Sequence, residues 1–521
     1  MKTNSSLAVR VKITTVAAAC ALSILAIRAG AQVGGGGGSS QGAQAIQLPL
    51  SGRPGQAGSV NSTETAVPGT TSSVNTLNPA VQVQGPYTGS ASSVAAMPFS
   101  GHLSFREAIQ RGLVYNLGAV GLAQAVRQAS GASQVVRSAL LPNLNGSLSE
   151  NYLTENLKAL GFHFSFPGLS LPTIVGPFNY FDARARLTQT VLDLTAINNY
   201  RASNEALRSN ELSARDALDL VVLAVGGTYL QVIAARARVE SARAQLETAN
   251  ALYQQALQER GVGLLAQVDV NRSQVQALAD QQRLLSLQND LAKQKIDLAR
   301  LIGLPPTDQY DVSDDVPLPA TPPIEFDAAL KQAFEQRADL KAAQSQVRAS
   351  ELARSAARAE LLPSVSVSAD FGEIGVNPGQ AFGTYTVAGS MKIPLWQGGR
   401  AKGDMEEANA ALAQRRAELE DLKSLVESQV RKAFLDLQAS ASQVDVAKKN
   451  VEVSRETLDL TKQRFEAGVT DSVEVVQSEQ TVASAELDYI NSEFGLNLAK
   501  LSMARAIGGA AENLSQFLKA Q

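Results

Sequence analysis

The sequence predicts a mainly α-helical chain with a small β part, arranged as one domain-sized unit used twice. The first observation behind this is an internal duplication. An offset of 221 (326 − 105) carries Phe105, Ala108, Val126, Arg127, Ala132, Leu140, Leu141 and Pro142 onto Phe326, Ala329, Val347, Arg348, Ala353, Leu361, Leu362 and Pro363. An offset of 205 (508 − 303) then carries Val225, Leu230, Ala242, Gly263, Val268, Val270, Ser273, Leu291, Arg300, Ile302 and Gly303 onto Val430, Leu435, Ala447, Gly468, Val473, Val475, Ser478, Leu496, Arg505, Ile507 and Gly508. Such a period is far too long for a solenoid repeat. The second observation is composition: long stretches rich in Ala, Leu, Gln and Ser, with 5% aromatic and 18% charged residues, suit extended helices meeting along narrow stripes. The third is a set of short segments that alternate apolar and polar residues, as half-buried strands do.

Taken in chain order, residues 1–31 read as an export signal. Lys2, Arg10 and Lys12 precede an apolar run from Val16 to Ile27, too short to span a bilayer, and Ala29 and Ala31 fit a small-residue cleavage rule. Acylation at Cys20, the one cysteine, is the alternative use of this stretch. Residues 32–103, rich in Gly, Ser, Gln and Thr with no helical period, are expected to be a flexible tail.

The first unit, 104–304, opens with a helix from Ser104 to Leu140 that ends where Pro142 cannot continue it. Two strands follow; in one, Phe181, Ala183, Ala185 and Leu187 oppose Asp182, Arg184, Arg186 and Thr188. A helix from about Thr195 to Val262 comes next, then a turn at Gly263 and a returning helix to Gly303. Leu284, Leu287, Leu291, Leu298 and Leu301 give that returning helix a coiled-coil seam, with Gln294 the polar exception.

A Pro-rich linker, 305–324, leads to the second unit, 325–509, in the same order: a helix from Glu325 to Leu361, two strands, a helix from Arg400 to Ala467, a turn at Gly468 and a return to Gly508. Here "SVSVSADF" sets Val365, Val367, Ala369 and Phe371 against serines and Asp370, and "TYTVAGSMKI" sets Tyr385, Val387, Met391 and Ile393 against Thr384, Thr386, Ser390 and Lys392. Residues 510–521 form a tail.

Composition excludes several function classes. With 46 Lys+Arg against 49 Asp+Glu and a net charge of -3, the chain lacks the basic footprint of a nucleic-acid binder. One Cys and two His, His102 and His163, with no GxSxG or HExxH pattern, predict no catalytic site, no metal site and no cofactor. Five Met argue against a dedicated soft-metal exporter. Strands with one apolar face in an exported chain fit an outer-membrane barrel. Four strands cannot close one, and open edges in lipid are costly, so several chains must share it; three chains give twelve strands. A periplasmic adaptor or a structural coiled-coil protein without a channel is the rival reading.

The order helix, strand, strand, helical hairpin, used twice over Ser104–Gly509, resembles the TolC-like outer-membrane efflux proteins. "IPLWQGG" is similar to that family's signature at the end of the last strand, and "FEAGVTDSVEVVQSEQ" to its second periplasmic tip turn. The resemblance implies a homotrimer in the outer membrane of a Gram-negative-type envelope: a twelve-stranded barrel continuous with a twelve-helix periplasmic tunnel. It further implies a passive exit duct of tripartite efflux or type I secretion, joined to a periplasmic adaptor and an inner-membrane pump of RND, ABC or MFS type.

The resemblance also implies site residues. Pro394, Trp396, Gly398 and Gly399 mark the barrel end, with the sole Trp at the lipid interface. The tip turns Gly263, Leu264 and Leu265, and Gly468, Val469 and Thr470, dock the adaptor. Asp269 and Glu474, at matching repeat positions, line the entrance. Gln477 stands where the family pattern has a second acidic ring, and Thr470 where it has a basic latch. Arg184, Arg186 and Lys392 are candidates to face the lumen.

Overall fold

The computed structural model describes residues 59–67, 76–91, 99, 101–157, 159, 173–263, 265–305, 310–312, 325–467, 469–470 and 472–511. The expected signal with Cys20, most of the linker 305–324, the tail beyond 511, His163, Leu264 and Gly468 lie outside them.

Each unit begins with a pair of helices where one was expected. In the first, Ser104 accepts from the amide of Glu107 to cap α1 (Phe105–Tyr115), and α2 (Leu117–Ser138) follows. The chain breaks at Asn116, which has an extended ψ of 130 and is fully buried. Its side chain accepts from the Gly118 amide at 2.9 Å, which a continuous helix would have paired, and donates to the Tyr87 carbonyl at 2.8 Å. In the second unit, α5 (Phe326–Gln336) and α6 (Ala338–Ala359) are separated at Arg337, whose guanidinium reaches Asp339 and Gln429.

Two long helical hairpins carry the rest of the helix. The first joins α3 (Leu194–Gly261) to α4 (Gln267–Ile302), and the second joins α7 (Arg400–Glu466) to α8 (Ser472–Ile507). At about 1.5 Å per residue, α3 and α7 each extend roughly 100 Å. α4 and α8 end on Gly303 and Gly508, which adopt φ of +75 and +93, a region that favours glycine. Leu298 and Leu301 of the expected seam are buried, and Leu284, Leu287 and Leu291 are half-buried.

The middle of α3 is long and apolar enough to cross a membrane, yet 83% of that stretch is buried inside the protein. Val221, Val225, Tyr229 and Val232 pack there against Phe105 and Ile109, the ends of α4 and α8, and Val426 and Val430 of α7. This is the core. The Tyr229 hydroxyl donates to the Leu103 carbonyl at 3.0 Å, and its ring meets Phe105 edge-on at 5.4 Å.

Beside this core lies a buried charge cluster. Arg505 of α8 pairs with Asp216 of α3 at 2.6 Å, and Asp219 one turn on accepts the amides of Gly509 and Ala511. Arg337 and Asp339 complete it. Burial pushes the Asp216 carboxyl up to about 6, opposed by the Arg505 charge.

Two short β features depart from the sequence expectation. Residues 32–103 were expected to be a featureless tail, yet β1 (Val60–Val67) and β2 (Thr76–Val83) form an antiparallel hairpin in register Val60↔Val83 to Val67↔Thr76. Apolar side chains at Val60 and Val81 have a place to bury, which composition alone conceals. Inside the linker, β6 (Asp311–Val312) pairs in parallel with β3 (His102–Leu103).

The remaining strands are β4 (Asn143–Asn156), β5 (Ile174–Leu192), β7 (Ser364–Gly375) and β8 (Ala381–Lys392). They form one antiparallel sheet in the order β4-β5-β7-β8, so the two units meet at β5 and β7 while β4 and β8 are open edges. Leu144, Leu187, Ala369 and Val387 stand in one cross-strand row, and Gly146, Ala185, Phe371 and Tyr385 in the next. Leu144, Phe371, Tyr385 and Val387 are each at least 66% exposed, so this apolar face has no cover among the described residues.

Candidate functional site

Three regions hold the residues singled out from sequence: the hairpin tips, the polar face of the sheet and the junction between β8 and α7. At the tips, Gly263 turns the chain between α3 and α4 with φ +81. Val262 and Val469 project into solvent at 73% and 68% exposure, while Leu265 is half-buried. The two tips adjoin, because Leu252, Ala256, Leu265 and Ser273 of the first hairpin and Phe465, Val475 and Val476 of the second line one small cavity.

Asp269 and Glu474 each occupy the third residue of a returning helix, where the helix dipole favours a carboxylate. Neither stands alone. Asp269 pairs with Arg272 at 3.2 Å, and Glu474 pairs with Arg464 at 2.8 Å while also accepting from the Thr470 hydroxyl. The cation paired with Glu474 thus comes from Arg464, in the last turn of α7 and within the same hairpin. Gln477 is exposed, and its backbone carbonyl accepts from Thr481.

On the polar sheet face, Arg184 is not simply solvated: it pairs with Asp182 at 2.8 Å on its own strand and with Asp370 at 3.1 Å on β7. Arg186 lies opposite Asn145 and Asp370, and Lys392 ends β8 opposite Ser364. After β8 the chain runs irregularly through Pro394 to the glycine pair, where Gly398 and Gly399 take φ of +63 and +92 and α7 begins. Trp396 is 88% exposed there and Leu395 92%.

The polar contacts between the two hairpins escaped the sequence reading. Glu486 of α8 accepts from Ser241 of α3 at 2.6 Å and from Arg455 of α7 at 2.7 Å. Burial pushes its carboxyl up, but the bonds from Ser241 and Arg455 prevail and hold it below the usual carboxylate range. Arg238 donates to Asn491 at 2.6 Å, and Gln480 to Gln276 at 3.3 Å.

Nearer the tip, Glu479 faces Lys462 at 3.7 Å, beyond hydrogen-bond reach, with Asp280 of α4 also acting on it. Burial raises Glu479 to about 7; Lys462 opposes this and Asp280 adds to it. A signal for both residues does exist in the sequence: Val475, Glu479, Val482 and Glu486 follow a four-three-four spacing, which puts two carboxylates on a core stripe.

A carboxyl raised from 4.5 to about 7 stabilises the packed seam fully below 4.5, and that contribution is lost as pH rises through 7. Glu479→Gln removes the charge at high pH. It is expected to raise the Tm at pH 8 by about 2–4 °C and to leave it unchanged at pH 5. Thermal scans at the two pH values check this; an equal shift at both contradicts it.

The arrangement has two helical hairpins, a sheet with an uncovered apolar face and no cluster of His, Cys, Asp or Glu among the described residues that could hold a metal. The sequence profile described as "Outer membrane efflux protein" matches residues 121–304 and 329–509, one stretch in each unit. The chain belongs to the outer membrane efflux protein family. It is thus an outer-membrane channel component of an efflux system, not an enzyme.

Relatives of this family include the pyoverdine export outer membrane protein OpmQ of Pseudomonas aeruginosa, 23% identical over 79% of this chain and 86% of that protein. Against OpmQ of Pseudomonas putida the match is 24% identical and spans 59% of this chain and 66% of the relative. The fold is similar to that of VceC from Vibrio cholerae, with a TM-score of 0.67, 18% identity and coverage of 78% of this chain and 96% of that one.

Proposed function

We propose that three copies of this efflux protein close one twelve-stranded barrel in the outer membrane above a periplasmic tunnel of twelve helices, and that this trimer is the passive exit duct of a tripartite assembly. The open edges β4 and β8 carry this reading, because in lipid their unpaired backbone groups demand strand partners. The helices agree with it. Val268, Val275, Leu278 and Leu285 form an exposed heptad stripe on α4, and Leu435, Val446, Val453 and Leu460 form another on α7. A second copy covers each. The apolar sheet face then meets lipid, Trp396 sits at its boundary, and Arg184, Arg186 and Lys392 face water in the lumen.

The exposed tips, with Gly263, Leu265, Val469 and Thr470, dock a periplasmic adaptor that couples the duct to an inner-membrane pump. Asp269 and Glu474, three copies each, surround the entrance. Because Arg464 neutralises Glu474 in the present arrangement, Arg464→Ala is expected to raise cation selectivity about 3-fold or more and Glu474→Ala to lower it by a similar factor. Reversal potentials in a salt gradient test this. Identical selectivity in both variants and wild type contradicts the entrance assignment.

A further inference from the structure

The two units fold alike residue by residue. The edge-on ring pair Phe105–Tyr229 of the first, 5.4 Å between centroids, recurs as Phe326–Phe434 of the second at 5.8 Å, by the offsets of 221 (326 − 105) and 205 (434 − 229). Inside the chain the units meet through α3 of the first, which packs on α6 and α8 of the second. The counterparts of that contact lie on exposed faces. Ala349 and Ala356 of α6 are buried, while their equivalents on α2, Gln128 and Val135, are exposed, Val135 at 72%. Asp216 of α3 is buried against Arg505 of α8. Its equivalent on α7, Asp421, is exposed, and so is Arg300 of α4, the equivalent of Arg505.

Strand order identifies what these faces meet. Pairing of β5 with β7 brings α3, which follows β5, beside α6, which precedes β7. The open edges are β4, preceded by α2, and β8, followed by α7. A second copy whose β4 joins β8 therefore sets its α2 and α4 on α7 as α6 and α8 sit on α3. Asp421 then meets Arg300 of the partner subunit. The neighbouring positions differ from their template in charge. On α3, a Cβ at Gly226 would stand 3.0 Å from Leu501 of α8, beside Ser502. The equivalent positions are Arg431 on α7, and Ile296 beside Asp297 on α4, with Arg431 and Asp297 both exposed. Lys432, the equivalent of Gly227, comes opposite Lys293, whose charge Asp290 at 3.9 Å balances.

We propose that two ion pairs join each copy to the next, Asp421 of α7 with Arg300 on α4 of the partner subunit and Arg431 with Asp297 of the partner subunit. This rests on the duct reading, which requires more than one copy. The first pair repeats Asp216–Arg505, and the second stands where the joint inside the chain has a close glycine contact. The two sides of the contact carry opposite charges at both positions, so α7 of one copy selects α4 of another over a second α7. Such a head-to-tail contact closes into a ring.

The test uses full-length protein in detergent. Arg300→Cys with Asp421→Cys, treated with a short bis-maleimide, is expected to give covalent dimers and trimers on a denaturing gel, about 10-fold or more above either single variant. The single variants also control for Cys20. Asp421→Arg and Arg300→Asp are each expected to shift association about 10-fold or more toward single chains at low salt, and the double reversal to restore it within about 3-fold, as light scattering reads. Cross-linking no greater than in the single variants, from particles whose mass is that of three chains, overturns the ionic joint and leaves the duct reading standing. Single reversals that leave association unchanged, or a double reversal as weak as the singles, overturn the joint in the same way. A wild type that runs as a single chain overturns the duct reading, and the joint with it.

Discussion

Arg505→Met will lower folding stability by about 3–5 kcal/mol, because it leaves a buried carboxylate without its cation. Arg505 lies 2.6 Å from Asp216, and Asp219 on the next turn is committed to the amides of Gly509 and Ala511. Methionine fills much of the volume and supplies no charge. Asp216 must then either stay ionised in an apolar site or hold a proton at neutral pH, and both states cost free energy. Adding Asp216→Leu to Arg505→Met is expected to recover more than half of the loss, since a cycle of two coupled residues is strongly non-additive. Urea unfolding followed by helical circular dichroism measures both. A loss below about 1 kcal/mol in the single variant contradicts the account of this cluster as a joint between α3 and α8.

Val446→Asp together with Val453→Asp is expected to dissociate the proposed trimer. The two valines stand 64% and 61% exposed on α7 in the single chain, seven residues apart on one face. In the proposed assembly each is buried against the neighbouring copy. Replacing them forfeits apolar burial and forces two carboxylates into each of three interfaces. The cost per interface is at least about 4 kcal/mol, on the order of a thousandfold in association. Light scattering in detergent reads the outcome. The helical signal of the single chain is expected to survive, because neither side chain packs in its own core. A trimer of unchanged stability would show that this face of α7 looks elsewhere.

How much of this was legible in the sequence depended on whether a feature repeats locally. The hairpins were, because Gly263 and Gly303 recur at Gly468 and Gly508 and the helices between them are long and periodic. So were β5, β7 and β8, whose alternation from Phe181 to Leu187 and from Ser364 to Lys392 marks one apolar face. The breaks at Asn116 and Arg337 were not, because each depends on a buried side chain finding partners far along the chain, the Tyr87 carbonyl for one and Gln429 for the other. The hairpin β1–β2 was hidden in a Gly- and Ser-rich composition, and its reason lies in Gly227 and Gly495, the helix positions against which Val81 and Pro79 lie.

At the candidate site, position was easier to read than state. Matching the repeats identifies Asp269 and Glu474 as equivalent, but the sequence does not reveal that Arg464, ten residues before Glu474, reaches across the turn to neutralise it. Alternation places Arg184 among the polar positions of β5, while its two carboxylate partners depend on register across β5 and β7. Glu479 and Glu486 fall on an apolar stripe of α8 that the sequence reading passed over. What they touch required the packing of the second hairpin against the first.

The central claim is that several copies share one barrel and that the result conducts. Planar-bilayer recording of the purified wild-type protein, with the mass of the same detergent-solubilised particle measured alongside, tests both parts at once. The account predicts a particle of three chains that gives small, stepwise, cation-favouring currents. A particle of one or two chains that gives no current would contradict it.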